Sequence, residues 1–131
     1  MMKQFSAIND KQLFQQIILL RMVAFDNYEH DETELRLDNE AQQFALIENT
    51  EVVASFRLLK TAEGQIIQKL CADKSGRFKG AGARLVEMYK AEAGKQIIYT
   101  NCYVKLAGFW SKLGFEPTGK INGEKQEYLL K

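Results

Sequence analysis

The residues with the clearest capacity for chemistry lie in one run, Leu70-Cys71-Ala72-Asp73-Lys74-Ser75-Gly76-Arg77-Phe78-Lys79-Gly80-Ala81-Gly82-Ala83-Arg84-Leu85. Here a strand-like stretch ends and a helical pattern begins around closely spaced glycines. The first N–H groups of a helix have no intrahelical acceptor and lie at the positive end of its dipole. Glycine removes the Cβ that would hold an anion away from those groups. The turn therefore suits a pyrophosphate, and Arg77, Lys79 and Arg84 surround it with positive charge. It is not a Walker P-loop, because Gly82 is followed by Ala83-Arg84 where Lys and Ser or Thr are needed. It is not a dinucleotide fingerprint either. That motif needs a third glycine where Leu85 stands, and it normally follows the first strand of a fold.

Charge is split along the chain. From Asp26 to Glu40 there are seven acids (Asp26, Glu29, Asp31, Glu32, Glu34, Asp38, Glu40) against Arg36 alone. From Lys69 to Lys95 there are seven bases against three acids. His30 is the single histidine and reads as a surface residue. No cluster has metal-ligand spacing, so no metal is expected. Cys71 and Cys102 form no CxxC pair and read as free buried thiols.

These residues need elements to hold them. Met1 to Ile8 reads as a short first strand, and Asn9-Asp10 offers an N-cap. Leu13, Phe14, Ile17, Ile18 and Leu20 recur at helical spacing, which predicts a helix from about Lys11 to Phe25. The polar stretch Asp26 to Glu40 is expected to be a loop with one helical turn. Three strand-like runs follow: Phe44 to Ile47, Val52 to Leu59 with Val52, Ala54, Phe56 and Leu58 on one face, and Ile66 to Ala72. Their short turns imply an antiparallel meander. Gly80 to Ala93 reads as a helix with Ala81, Leu85, Met88 and Glu92 in one stripe, Tyr89 beside it and Gly94 as its stop. Gln96 to Cys102 is a strand reached through that helix, so it should run parallel to its predecessor. Val104 to Leu113 is a short helix. Phe115 to Ile121 and Gln126 to Leu130 form a closing hairpin turned at Asn122-Gly123. The sum is an α/β (α+β) domain over residues 1–131, a mixed and mostly antiparallel sheet with helices on both faces.

Composition narrows the class. The chain has 131 residues, 46% of them hydrophobic and 27% charged, enough for one core and typical of globular proteins. A net charge of +1 lacks the basic footprint of a nucleic-acid binder. Ile17 to Leu20 is too short an apolar run to span a bilayer and lacks the flanks of a signal peptide, so no membrane partner is expected. The default location is the cytoplasm.

Arg77-Phe78-Lys79-Gly80-Ala81-Gly82 has the form R-x-x-G-x-G and resembles the acetyl-CoA signature of the GNAT superfamily of N-acetyltransferases. A second segment, Ala107-Gly108-Phe109-Trp110-Ser111-Lys112-Leu113-Gly114-Phe115, looks like the family's "FYEKLGF" stretch and falls at the expected distance after an intervening strand. The element order matches from about Phe44 to Leu130. The front end, with Arg21, Phe25 and the acidic loop before Phe44-Ala45-Leu46, is similar to compact bacterial members.

The resemblance implies acetyl-CoA as co-substrate, with no metal, and an amine acceptor that is a small molecule or a protein. It implies that the fourth and fifth strands splay apart and that the pantetheine arm pairs with the fourth strand through Leu70 and Ala72, much as an added strand would. The pyrophosphate is expected on the N–H groups of Phe78, Lys79, Gly80, Ala81, Gly82 and Ala83, with Arg77 and Arg84 beside it. An N–H near Leu70 or Cys71 would polarise the thioester carbonyl, and Phe109, Trp110 and Lys112 would line the cofactor's other side. The amine attacks directly, without an acyl-enzyme. In this fold the loop after the first helix borders the acceptor, so the acidic segment suggests a cationic acceptor.

Three departures stand out. Phe78 replaces the signature's usual second glycine. Trp110 replaces a tyrosine that many members use as general acid, and indole cannot supply that proton. Tyr103 stands where the family often has Asn, with Asn101 two residues earlier. Tyr103 is the substitute candidate for the acid, ahead of Tyr99 and Cys102. A second reading, a non-catalytic acyl-CoA-binding or regulatory module, draws on the Trp110 substitution and the lack of an evident base. An exposed strand edge in the C-terminal hairpin is a candidate homodimer contact.

Overall fold

The computed structural model describes residues 1–75 and 77–130. The elements run β1 (Met2–Phe5), α1 (Lys11–Ala24), α2 (Glu32–Glu40), β2 (Gln42–Glu48), β3 (Glu51–Thr61), β4 (Gly64–Ala72), α3 (Ala81–Ala93), β5 (Ile98–Tyr103), a single 3₁₀ turn (Val104–Leu106), α4 (Ala107–Lys112), β6 (Phe115–Asn122) and β7 (Lys125–Leu130). One sheet of seven strands has the order β1-β2-β3-β4-β5-β7-β6. Only β4 and β5 are parallel, as the helical crossover requires.

Local chemistry sets the boundaries. The Asp10 carboxylate accepts the N–H of Leu13 at 3.1 Å and starts α1. Asp31 accepts the N–H of Glu34 at 2.9 Å and starts α2. Gly94, with φ +65°, ends α3, and Gly123, with φ +64°, turns the last hairpin. Gly64 packs so close to Ile97, the residue just before β5, that a Cβ would meet the Ile97 carbonyl at 2.6 Å.

The sheet is covered on both faces. Phe44 and Phe56 stack at 4.9 Å between centroids, and Tyr89 of α3 meets both edge-on. Leu85, Val86 and Ile67 fill in around them. On the opposite face Arg57 of β3 meets Asp38 of α2, which in turn pairs with Arg21 of α1. No helix among the described residues is long and apolar enough to cross a membrane.

Two expectations are corrected. The stretch Asp26 to Glu40 is not a loop with one turn, because nine of its residues form α2. That helix escapes an apolar-periodicity reading because its one buried residue is charged Asp38. The buried stripe of α3 runs through Val86, Tyr89 and Ala93, which leaves Met88 and Glu92 outward. β3 adds a feature the pattern does not announce, since Val53, Ser55 and Arg57 are as buried as Ala54, Phe56 and Leu58.

Arg21 and Asp38 have fully buried side chains and pair in a fork, Nη1 to Oδ2 at 2.7 Å and Nη2 to Oδ1 at 2.9 Å. Burial alone would raise the Asp38 carboxyl. The hydrogen bonds and charge of Arg21, with help from His30 and Arg57, hold it below the usual carboxylate value instead. Asp38→Asn leaves Arg21 buried without a counter-charge, so unfolding is expected to become easier by about 3 kcal/mol. The folded value lies below the unfolded one, so the Asp38 contribution is full above about pH 4 and is lost as pH falls through the lowered folded value. Thermal melts between pH 2 and 6 should show a shallower acid slope for Asp38→Asn than for the native chain, and equal slopes would remove this account.

Candidate functional site

The site begins where β4 and β5 part. They pair only at Gln65↔Ile98, Ile66↔Tyr99 and Ile67↔Thr100. The Thr100 hydroxyl then donates to the Ile67 carbonyl at 2.9 Å, and β5 continues with β7 alone. β4 meanwhile stays on β3, with one irregularity: Gln68 faces Arg57 and Cys71 faces Ser55, so Lys69 and Leu70 together oppose Phe56. This is a β-bulge, and Lys69 takes φ +57°, rare for a residue with a Cβ.

The bulge changes which backbone groups face β5. The N–H of Gln65 bonds to Ile97 on the β5 side, while the N–H of Asp73 bonds to Val53 on the β3 side. Antiparallel alternation then turns Cys71 toward β3 and leaves the N–H and C=O of Leu70 and Ala72 facing the gap. Of the three residues the sequence offers here, Leu70 and Ala72 turn their backbone to the gap, whereas the backbone of Cys71 pairs with β3 and its side chain is buried on the face away from Leu70 and Ala72.

Beyond β4 the chain turns into α3. Gly80 is the N-cap, with φ +78° and no side-chain cap. The N–H groups of Gly82 and Ala83 have no partner among the described residues, and the first bonds of the helix come from Ala81 to Phe78 and Arg84 to Gly80. A Cβ on Gly80 would meet nothing within 4 Å, and one on Gly82 would meet only the Ala72 Cβ at 3.8 Å. The protein's own packing therefore does not demand glycine at 82, although Gly82 itself is buried, whereas Gly80 is exposed.

Basic side chains frame this turn. The Arg77 guanidinium lies 2.7 Å from Glu51 and 3.8 Å from Asp73, and 5.0 Å from the Phe78 ring. Arg84 lies 3.4 Å from Glu48. These pairs are exposed, so they hold the arginines weakly and leave them free to exchange partners. Lys79 is exposed, whereas Phe78 packs half-buried on the same core as Leu70, Ala72, Ala83 and Phe109.

The α4 residues separate. Trp110 is 5% exposed and packs edge-on against Phe109 and Phe115 at 5.2 and 5.0 Å, an anchor between helix and hairpin. Lys112 is exposed at the end of α4. Tyr103 stands on the part of β5 that has left β4, 42% exposed, with the Lys125 ammonium 5.1 Å from its ring. Asn101 accepts a hydrogen bond from Asn122 at 3.2 Å.

The acidic flank is less open than its composition suggests. Asp38 is buried and Glu34 is 18% exposed. Glu34 pairs with Arg57 at 2.5 Å and Lys69 at 3.5 Å. Asp31 caps α2 and Glu40 faces Arg36. His30 is not simply a surface group, since its Nε2 lies 3.0 Å from Asp38. Sequence reading gave no site role to Lys69, Arg57 or Arg21. For Arg21 and Arg57 the signal was a charge at a core position of an apolar pattern, which demands a buried partner. Among the described residues no group of three or more His, Cys, Asp or Glu could hold a metal ion.

The description "Acetyltransferase (GNAT) domain" belongs to the family model that matches residues 6–127. No curated protein matches the chain. Similar solved structures include ElaA of Escherichia coli, 19% identical with TM-score 0.75, covering 100% of this chain and 99% of that one. An acyl-CoA N-acyltransferase from Pseudomonas aeruginosa is 16% identical with TM-score 0.79, at the same coverage. An aminoglycoside 6'-acetyltransferase type Ii is 21% identical with TM-score 0.77, covering 98% of this chain and 94% of that one.

Both thiols are held in the neutral form. Burial pushes Cys71 up to about 11 against the pull of Arg21, and burial likewise raises Cys102. At pH 8 about one Cys71 in 10³ is thiolate. Ellman's reagent should find neither thiol within minutes in the folded protein and both after unfolding in guanidinium, and a rapid native reaction at Cys71 would reopen it as a nucleophile.

Proposed function

This chain belongs to the GNAT acetyltransferase family, and on that premise we propose that it moves an acetyl group from acetyl-coenzyme A to an amine nitrogen, by direct attack while both are bound. The observation that carries the reading is one continuous stretch: β4 leaves its neighbour with backbone groups at Leu70 and Ala72 unclaimed, and the same chain ends at a helix start with unclaimed N–H groups at Gly82 and Ala83. An extended arm needs the first and a diphosphate needs the second.

The bound co-substrate supplies an activated thioester. The chain's part is to hold and polarise it. Leu70 and Ala72 pair with the arm, and the backbone from Phe78 through Ala83 receives the diphosphate with Arg77, Lys79 and Arg84 around it. The Leu70 N–H is the donor for the thioester carbonyl, since Cys71 is turned to β3. Two buried neutral thiols give no place for an acyl-enzyme, in keeping with direct attack. The nitrogen forms the new bond to the acetyl carbon, the carbon–sulfur bond breaks, and the nitrogen's extra proton leaves with solvent. Tyr103, exposed on the free part of β5, is the proposed acid toward the leaving sulfur, because Trp110 has no proton to give.

The acceptor is a small-molecule or protein amine. An alkyl amine has a solution pKa near ~10.4, so about one molecule in 10³ is neutral at pH 7 and the site must favour that form.

Calorimetry should show acetyl-CoA binding, and free thiol should appear when a broad amine panel is added. Gly82→Ala should bind acetyl-CoA on the order of tenfold more weakly, yet melt no earlier, because alanine is the better helix former by about 1 kcal/mol. Tyr103→Phe should lower kcat by about 10²-fold with KM for acetyl-CoA unchanged. Failure to bind acetyl-CoA would end the reading. Binding without thiol release from any amine would favour a non-catalytic acyl-CoA-binding module, the alternative that the substitution of Trp110 suggests.

A further inference from the structure

Below the β4 bulge lies a charge cluster whose carboxylates do not balance its cations. Asp38 and Glu34 supply two negative charges, and Arg21, Arg57 and Lys69 supply three positive ones. The members are not equally accessible. The side chains of Arg21, Asp38 and Arg57 are 0%, 0% and 2% exposed, and Glu34 is 18% exposed, whereas Lys69 is 31% exposed. Glu34 is shared between Arg57 and Lys69 and neutralises neither fully. The uncompensated positive charge is therefore presented to solvent at the Lys69 ammonium.

Its position matters. Lys69 is the bulge residue itself, and the next residue, Leu70, turns its backbone into the gap. The bulge places Lys69 on the α1 and α2 face of the sheet, opposite the face carrying Leu70 and α3. Two half-buried aromatic rings, Phe25 and Tyr28, stand 5.7 Å from the ammonium and 6.2 Å from each other. The ammonium faces the ring pair from one side, and a cation beside two rings, one residue before the backbone that turns into the gap, is a recognition feature for a small anion with an apolar or aromatic body.

We propose that the acceptor is a small amine bearing a carboxylate, with Lys69 reading the carboxylate and Phe25 and Tyr28 flanking the rest. This rests on the acetyl-transfer reading above and names the acceptor class for it. It departs from the cationic acceptor that the acidic composition suggested, because the two acids of this cluster, Asp38 and Glu34, are already paired with Arg21, Arg57 and Lys69. The same charge helps the reaction, since a nearby cation disfavours an ammonium and raises the share of neutral, nucleophilic amine.

The test uses the whole chain with acetyl-CoA and matched acceptors: L-phenylalanine against L-phenylalaninamide, β-alanine against its amide, and spermidine. The amides are the less basic amines and richer in the neutral form, which biases the comparison against the proposal. Thiol release should give the carboxylates a kcat/KM about tenfold or more above their amides, as one charge-assisted contact allows. Lys69→Met should erase that preference by raising KM for the carboxylates alone, and Lys69→Arg should restore most of it. Equal or better use of the amides, preference for spermidine, or an equal loss on both members of a pair in Lys69→Met would overturn it. Calorimetry of the same pairs on the CoA-saturated protein separates the two claims. Carboxylate-selective binding without thiol release rejects acetyl transfer and keeps the recognition, and transfer without selectivity does the reverse. Absence of binding and of transfer for every carboxylate also overturns it.

Discussion

The separation of β4 from β5 after Ile67 is the constraint on which the cleft depends, and one extra residue in β4 accomplishes it. A strand that simply ended there would leave both its edges unpaired and its direction unfixed. The bulge at Lys69 instead lets β4 hold its bonds to β3 through Cys71 and Asp73 while reversing which backbone groups look outward. The cost is a left-handed conformation at a residue with a side chain, on the order of 1 kcal/mol. Thr100 closes the fork by donating its hydroxyl to the Ile67 carbonyl, so the last paired group is satisfied and the first free ones are at Leu70. The gap is a built feature with defined lips.

The face of the sheet that carries the bulge joins the apolar residues Leu13 and Ile17 of α1 to a buried charge cluster. α2 fully buries no hydrophobic residue, and its Leu37 is half-buried. What fixes it is Asp38, whose oxygens receive Arg21 in a fork, Gln43 at 3.1 Å and Arg57 at 3.4 Å, with His30 alongside. Desolvating such a carboxylate is expensive, and a fork-like partner with several further donors is the arrangement under which that cost is recovered. The satisfaction is incomplete: Arg21 Nε and Ser55 Oγ are buried without a partner. A cluster of this kind is directional. It sets α1 and α2 at one angle to β3, and through Glu34 it reaches Lys69, so the helices and the bulge are parts of one bonded unit.

How far the sequence discloses this architecture depends on which force holds each part. The meander, the crossover helix and the final hairpin are readable because apolar spacing and turn residues such as Gly94 and Asn122-Gly123 encode them locally. Gly80 and Gly82 announce the start of α3 for the same reason, since a helix start between glycines is a local pattern. α2 is hidden because its anchor is one buried acid, and polarity reads as exposure. The second face of β3 is hidden because Ser55 and Arg57 look like outward residues until Asp38 is known to wait above them. The bulge is invisible for a different reason. Nothing in Gln68-Lys69-Leu70 marks a left-handed backbone, and only the register against β3 reveals it. Trp110 shows the limit of motif matching, because its position in the pattern is right while its ring has become part of the core.

The departures from the family pattern become intelligible once backbone and side-chain recognition are distinguished. On the proposed reading, the diphosphate end is held by main-chain N–H groups, so Phe78 can replace a glycine and turn its ring onto the core without removing a donor. On the same reading the acceptor end has no such insurance, because the proposed recognition is by side chains around Lys69, and a change of one charge there would alter which molecules bind. The bulge decides whether the first of these ligands has a strand to pair with: without the extra residue the alternation that turns Gln65 toward β5 would turn the backbone of Leu70 and Ala72 toward β3, and the proposed arm would find no free partner there.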